Sequence, residues 1–231
     1  MNGTLQTISL ILGIIVSCVA LGGALAKLGS GASNSSYQTQ DTIGSLSLAR
    51  LRPKIWSIDR QRIAAMLLGA TLYFAIQYII SRLDYSTAGP DWVYYLPDAV
   101  VLFFGVAFGP LVGLFVGAAG DILFVQITSS NFSYPQNFVV GVAVGSAVIG
   151  FIAGLSLIFT QGRFDGIRSI VAVEIVGAIG IIIGDLCFTI IYQTQYNTQF
   201  FLSVIQPDLI ASLVLLTIIL IPYSKSVYVE S

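Results

Sequence analysis

Long apolar runs broken by short polar ones dominate this chain. Residues 5–26, 63–80, 97–108, 111–127, 138–159, 170–192 and 205–223 are rich in Leu, Ile, Val, Phe, Ala and Gly and hold few charges. A run of about 20 such residues, rising 1.5 Å each as a helix, crosses the hydrocarbon of a bilayer. The pattern therefore predicts an all-α integral membrane protein, six helices preceded by one N-terminal anchor. Run 97–108 is short for a span, which predicts that it is tilted or extended upstream through Tyr94 to Leu96.

The polar segments set the expected boundaries. No positive charge precedes residues 5–26 and Lys27 follows them, the reverse of a secretory leader, so the run reads as an uncleaved anchor. The small residues Gly22 to Ala26 keep a cleaved signal peptide open as the alternative. Residues 29–49 are small and polar, in the manner of a flexible linker. Arg50, Arg52, Lys54, Arg60 and Arg62 then hold half of the 10 basic residues and mark a cytoplasmic stretch, with Trp56 at headgroup depth. The expected organisation is an anchor over 1–28, a cytoplasmic linker over 29–61 and a six-helix membrane domain over 62–231. With alternating spans, every basic residue except Arg82 falls on one side. The N-terminus is then outside and the C-terminus cytoplasmic, in a multi-pass protein of the cell membrane. Trp92, Tyr94, Tyr95, Tyr134, Tyr192 and Tyr196 fall at the outer boundary, as an interfacial belt does.

Composition narrows the function. The chain is 56% hydrophobic and 9% charged, against about 25% charged in soluble domains. A net charge of −1 with scattered basic residues argues against a nucleic-acid partner. There is no histidine, which excludes His-based triads and zinc sites, and no metal or cofactor is implied. Cys18 and Cys187 both lie within apolar runs and read as packing residues.

The stretch Pro97 to Gln126 carries the chemistry. Gly105, Gly109, Gly113 and Gly117 fall four apart and form a smooth stripe that another helix can approach closely. Asp121 sits inside an uncharged apolar helix, where a carboxylate is costly unless it faces the bundle interior or a watery cavity. GLFVGAAGDILF (Gly113 to Phe124) aligns without gaps with GAIGIIIGDLCF (Gly177 to Phe188), a candidate parallel repeat that adds Asp185. Both carboxylates lie in the outer half of the membrane. Three mechanisms are open to such a pair: an outward-facing solute site, a proton relay, or an aspartyl protease. The protease signature Gly-x-Gly-Asp lacks its first glycine at both positions.

Other residues carry two readings each. Asp98 follows Pro97 at a helix start and suits either the N-terminal dipole or a site. Asp208 follows Pro207 and reads as a cap. Glu174 either snorkels or pairs with Arg168, and Gln77 and Gln126 read as interhelical hydrogen bonds. Trp92, Tyr94 and Tyr95 are either a cover for the site or an interfacial belt only.

At Val101 to Phe124 the chain resembles the substrate-binding S component of an energy-coupling factor (ECF) transporter. The matching residues are Gly109, Pro110, Gly113, Gly117, Gly120 and Asp121. The resemblance implies a micronutrient-binding membrane subunit, shaped as a cup open to the outside and gated by Asp84 to Leu96. It implies two kinds of partner beside the lipid bilayer: a transmembrane coupling protein and a pair of cytoplasmic ABC ATPases. The lack of a Walker sequence in this chain agrees with that division of labour. It also implies docking through small residues of the first domain helix, here Ala65 and Gly69. The expected function is thus uptake of a vitamin-like solute rather than catalysis. Asp121, Asp185 and Asp98 would contact the solute, and Trp92, Tyr94 and Tyr95 would cover it. Carboxylates with aromatics favour a cationic or hydrogen-bond-donating ring, thiamine-like for example. The competing reading is a membrane assembly or sensory module that pairs helices through the glycine stripe.

Overall fold

The apolar runs of the membrane domain all become helices. The computed structural model describes residues 56, 58–82, 95–128, 134–160, 164, 166–192 and 205–228, with side chains to 224 in the last stretch. The anchor, the linker to Ile55, Trp92, Tyr94 and Tyr196 lie outside the described residues. Six helices follow in order: α1 (Arg60–Ser81), α2 (Leu96–Phe108), α3 (Pro110–Thr128), α4 (Gln136–Leu155), α5 (Ile167–Tyr192) and α6 (Gln206–Tyr228). After a turn at Ser156, α4 continues for one more turn, Leu157–Thr160. No strand occurs among the described residues.

Local chemistry sets the helix ends. Asp59 caps α1 by accepting the Arg62 backbone N–H at 2.9 Å. At the other end of α1 the Arg82 guanidinium donates to Tyr78 Oη at 3.0 Å and lies 5.0 Å from that ring. The one basic residue that breaks the charge asymmetry therefore has a local partner. Pro97 opens α2 with its fixed φ, and Asp98 sits in that first turn. Gly109 closes α2 at φ 112°, a conformation that side chains with a Cβ rarely adopt, and Pro110 starts α3 at once.

Helix α2 is the centre of the bundle, packed against α1, α3, α4 and α6. Its residues Val100 to Phe104 are fully enclosed. Phe103 stands edge-on to Phe104 and to Tyr223 of α6, with centroids 5.4 and 5.3 Å apart. This explains its length. A helix of 13 residues covers about 20 Å, too little for the roughly 30 Å of hydrocarbon. Surrounded by protein, it needs no span of its own; it starts at Leu96, with Tyr95 just before it, and Tyr94 lies outside the described residues. The other five helices are each long and apolar enough to cross a membrane. They are apolar on their outer sides as well, at Leu67, Leu114, Ile122, Ile175 and Val214 for example. That is the arrangement expected where the solvent is lipid.

The glycine stripe works across two helices, not along one. The break at Gly109 separates Gly105 on α2 from Gly113 and Gly117 on α3, and α4 lies against all three. A Cβ on Gly105 or Gly113 would fall 2.4 or 2.2 Å from the Gly150 carbonyl oxygen, and one on Gly117 would fall 2.3 Å from that of Ser146. On its opposite side α4 receives α5, where a Cβ on Gly184 would meet Ile149 at 2.4 Å. The two aligned Gly–Asp segments therefore differ in packing: Gly184 faces α4, whereas Gly120 faces Tyr73 of α1.

Candidate functional site

Asp121 is held by three helices. Its side chain is 3% exposed, and Oδ1 accepts hydrogen bonds from Tyr73 Oη at 3.1 Å and Gln77 Nε2 at 2.9 Å. Gln77 Nε2 also lies 3.0 Å from Tyr73 Oη, which in turn is 3.2 Å from Ser146 Oγ on α4. The glycines explain why these groups can meet. Gly120 presents no side chain to the Tyr73 ring, whose Cδ1 lies only 2.1 Å from where its Cβ would be. Gly117 lets the Ser146 turn of α4 close in from the other side. The Gly–Asp dipeptide is thus one device: the glycine seats an aromatic ring, and the aspartate receives its hydroxyl.

The clasp leaves acceptors over. Asp121 Oδ2 and Gln77 Oε1 are buried without a hydrogen-bond partner, and so is Asp185 Oδ2 on α5. A buried polar atom left unpaired costs about 1–3 kcal/mol, so these three oxygens are acceptors whose donors the described residues do not supply. Gln77 was legible as an interhelical hydrogen bond, and its partner is Asp121.

Four aspartates gather at one end of the bundle. Asp98 of α2 interacts electrostatically with Asp208 of α6, Asp185 of α5 and Asp121 of α3. Asp208 also interacts with Asp185. The expected trio of Asp98, Asp121 and Asp185 is therefore brought together, and Asp208 joins it. Asp208 is 2% exposed, and its Oδ1 accepts from Ser212 Oγ at 2.6 Å. That hydroxyl also lies 3.2 Å from the Tyr95 carbonyl oxygen, which ties the start of α2 to α6. The group that read as a helix cap is thus a buried member of the cluster. Among the described residues no three such side chains approach as metal ligands do.

Other expected residues lie as follows. Tyr95 is half-buried at the start of α2. Tyr134 and Tyr192 do reach the same end, where they close with Phe138 and Phe188 into an aromatic cluster between α4 and α5. Glu174 does not pair with Arg168: it accepts the Thr217 hydroxyl across the α5–α6 contact. Ala65 and Gly69 are buried inside the bundle, and a Cβ on Gly69 would lie 2.6 Å from Val116 and 2.9 Å from Phe104. The face of α1 that carries them is turned toward α2 and α3, so they offer no outward ladder for a partner. Tyr73 and Ser146 were missed from the sequence. The spacing of Tyr73 four residues before Gln77, on one face of one helix, was the available signal.

A family model described as "ECF-type riboflavin transporter, S component" matches residues 57–228. No curated protein and no solved structure matches the chain.

Proposed function

The chain belongs to the ECF-type riboflavin transporter S component family, a family of membrane substrate-binding subunits for vitamin uptake, and we propose that its own solute is riboflavin. The family match over the whole six-helix domain carries this reading. The site chemistry supports it. Riboflavin is neutral and joins a flat, largely apolar ring to a polyhydroxylated ribityl chain. The ribityl hydroxyls and the ring N–H are donors, and the site holds a surplus of buried acceptors in Asp121 Oδ2, Gln77 Oε1 and Asp185 Oδ2. This replaces the thiamine-like cation expected from carboxylates and aromatics alone.

In this reading the aspartate end of the bundle faces outward, and Trp92, Tyr94 and Tyr95 cover the bound vitamin. Lys54, Arg60 and Arg168 lie on the cytoplasmic side, where a coupling protein and ABC ATPases supply the energy. Asp121, Asp185, Asp98 and Asp208 orient the ribityl chain, while Tyr73 and Ser146 hold Asp121 in place. The competing reading, helix pairing with another protein through the glycine stripe, loses its surface because Gly105, Gly113 and Gly117 are consumed by α4 within the chain.

Riboflavin fluorescence provides the test. Titration with the purified protein should give saturable quenching, and Asp121→Ala should weaken affinity at least tenfold while the protein keeps its helical content. Unchanged affinity in Asp121→Ala removes that residue from the site. No saturable quenching with the unmodified protein refutes riboflavin as the solute.

A further inference from the structure

An open groove runs down the side of the bundle between α3 and α4, enclosing about 650 Å³. Leu114, Ala118 and Ile122 form one wall, and Ala143, Ala147 and Phe151 contribute to the other, every lining side chain being apolar. None of the four aspartates lines it. Its exposed ridges are large, with Leu114 at 40% and Ile122 at 46%, while three alanines leave space between them. Large ridges flanking small residues are the surface on which a second helix packs closely in a bilayer.

The chain itself points to the occupant. Trp56, the first described residue, places its ring 6.0 Å from that of Phe151, which lines the groove. The polypeptide therefore enters the membrane domain beside this groove. About 30 residues upstream lies the apolar run 5–26, predicted to cross the same bilayer. A flexible connection of that length has a root-mean-square span of about 30 Å and holds its two ends at an effective concentration on the order of millimolar. The run carries its own small residues at helical spacing, Gly13 with Ser17 and Cys18 with Gly22 and Ala26. Small residues on both partners allow the backbones to approach.

We propose that the N-terminal helix, residues 5–26, docks in cis in the α3–α4 groove as a seventh helix of the bundle. Lys27 and Trp56 then share one membrane face, and the helix runs alongside α4 in the same direction. The face formed by α3 and α4 is thereby closed by the chain itself, which leaves it unavailable to any separate partner. This inference does not depend on which solute the protein carries.

The native Cys18 makes the test direct. It lies about 13 Å above Lys27 along a helix, and Ala147 lies about 12 Å above the Leu155 end of α4. In a Cys187→Ser background, Ala147→Cys or Ala118→Cys should form an oxidant-induced disulfide with Cys18 in membranes. A protease site placed within residues 29–49 shows that the bond is intramolecular, since the two fragments stay together until reduced. Ile175→Cys, on the exposed side of α5 at similar depth, should give no such product. The proposal is overturned by any of four results: no cross-link at either groove position, equal cross-linking at Ile175→Cys, dimer-sized products alone, or a membrane form lacking residues 5–26.

Discussion

Replacing Gly120 with alanine isolates the contact on which the site is built. The added Cβ would stand 2.1 Å from Tyr73 Cδ1 and 3.0 Å from both Cε1 and Cγ of the ring. Carbon atoms rest at about 3.5 Å or more, so the ring must retreat by about 1.4 Å. Tyr73 is 1% exposed and its hydroxyl is engaged with both Asp121 and Ser146, so it has no free direction to move. Overpacking of this kind costs about 1–3 kcal/mol. The retreat also stretches the 3.1 Å and 3.2 Å contacts beyond the range of a hydrogen bond. In membrane bundles each such bond contributes only about 0.6 kcal/mol on average, so both together add about 1 kcal/mol. Against this, alanine favours a helix over glycine by about 0.5–1 kcal/mol. The clash wins, and the net loss is about 1–3 kcal/mol.

The second background supplies the decisive sign. In Tyr73→Ala the ring is gone, so Gly120→Ala should stabilise by about 0.5–1 kcal/mol through helix propensity alone. Titration with sodium dodecyl sulfate in mixed micelles, followed by far-ultraviolet circular dichroism, measures all four variants of the cycle. Gly166→Ala, with nothing within 4 Å of its Cβ, serves as the neutral control. An equal cost in both backgrounds would refute the account of why glycine precedes Asp121.

Three further outcomes follow from the packing. Gly109→Ala forces a Cβ onto a backbone at φ 112° and ψ 171°, a region confined to glycine, and should cost about 1–3 kcal/mol in the same unfolding titration. Leu102→Ala, at the enclosed centre of α2, should cost about 2–5 kcal/mol; a loss below 1 kcal/mol would show that α2 is not the core. Glu174→Gln keeps an acceptor for Thr217 and lies outside the aspartate cluster, so riboflavin affinity should stay within about twofold, as fluorescence quenching would read.

The hydropathy pattern was enough to find all six helices of the membrane domain, because lipid demands long apolar segments wherever a helix crosses. Expected and observed ends differ by a few residues, as at 63–80 against Arg60–Ser81. Asp121 and Asp185 were conspicuous as candidates because a carboxylate inside an apolar run is costly. Asp208 was not, since a first-turn aspartate after proline is explained equally well by capping, and only tertiary packing buries it. Tyr73 and Ser146 are common in membrane helices, and nothing local distinguishes a buried tyrosine hydroxyl from an interfacial one. The inward turn of Ala65 and Gly69 escaped for a related reason. Small residues ease close approach on either face of a helix, and apolar residues on all sides of α1 conceal which face is inside.

The central claim is that this protein holds riboflavin at the aspartate end of its bundle. Native mass spectrometry of protein purified from membranes tests it most directly. The account predicts a population heavier by one riboflavin, which is lost when Asp121 is replaced by alanine, and a melting temperature of the emptied protein that rises with added riboflavin. Protein that carries no small molecule, and whose melting temperature riboflavin leaves unchanged, would contradict it.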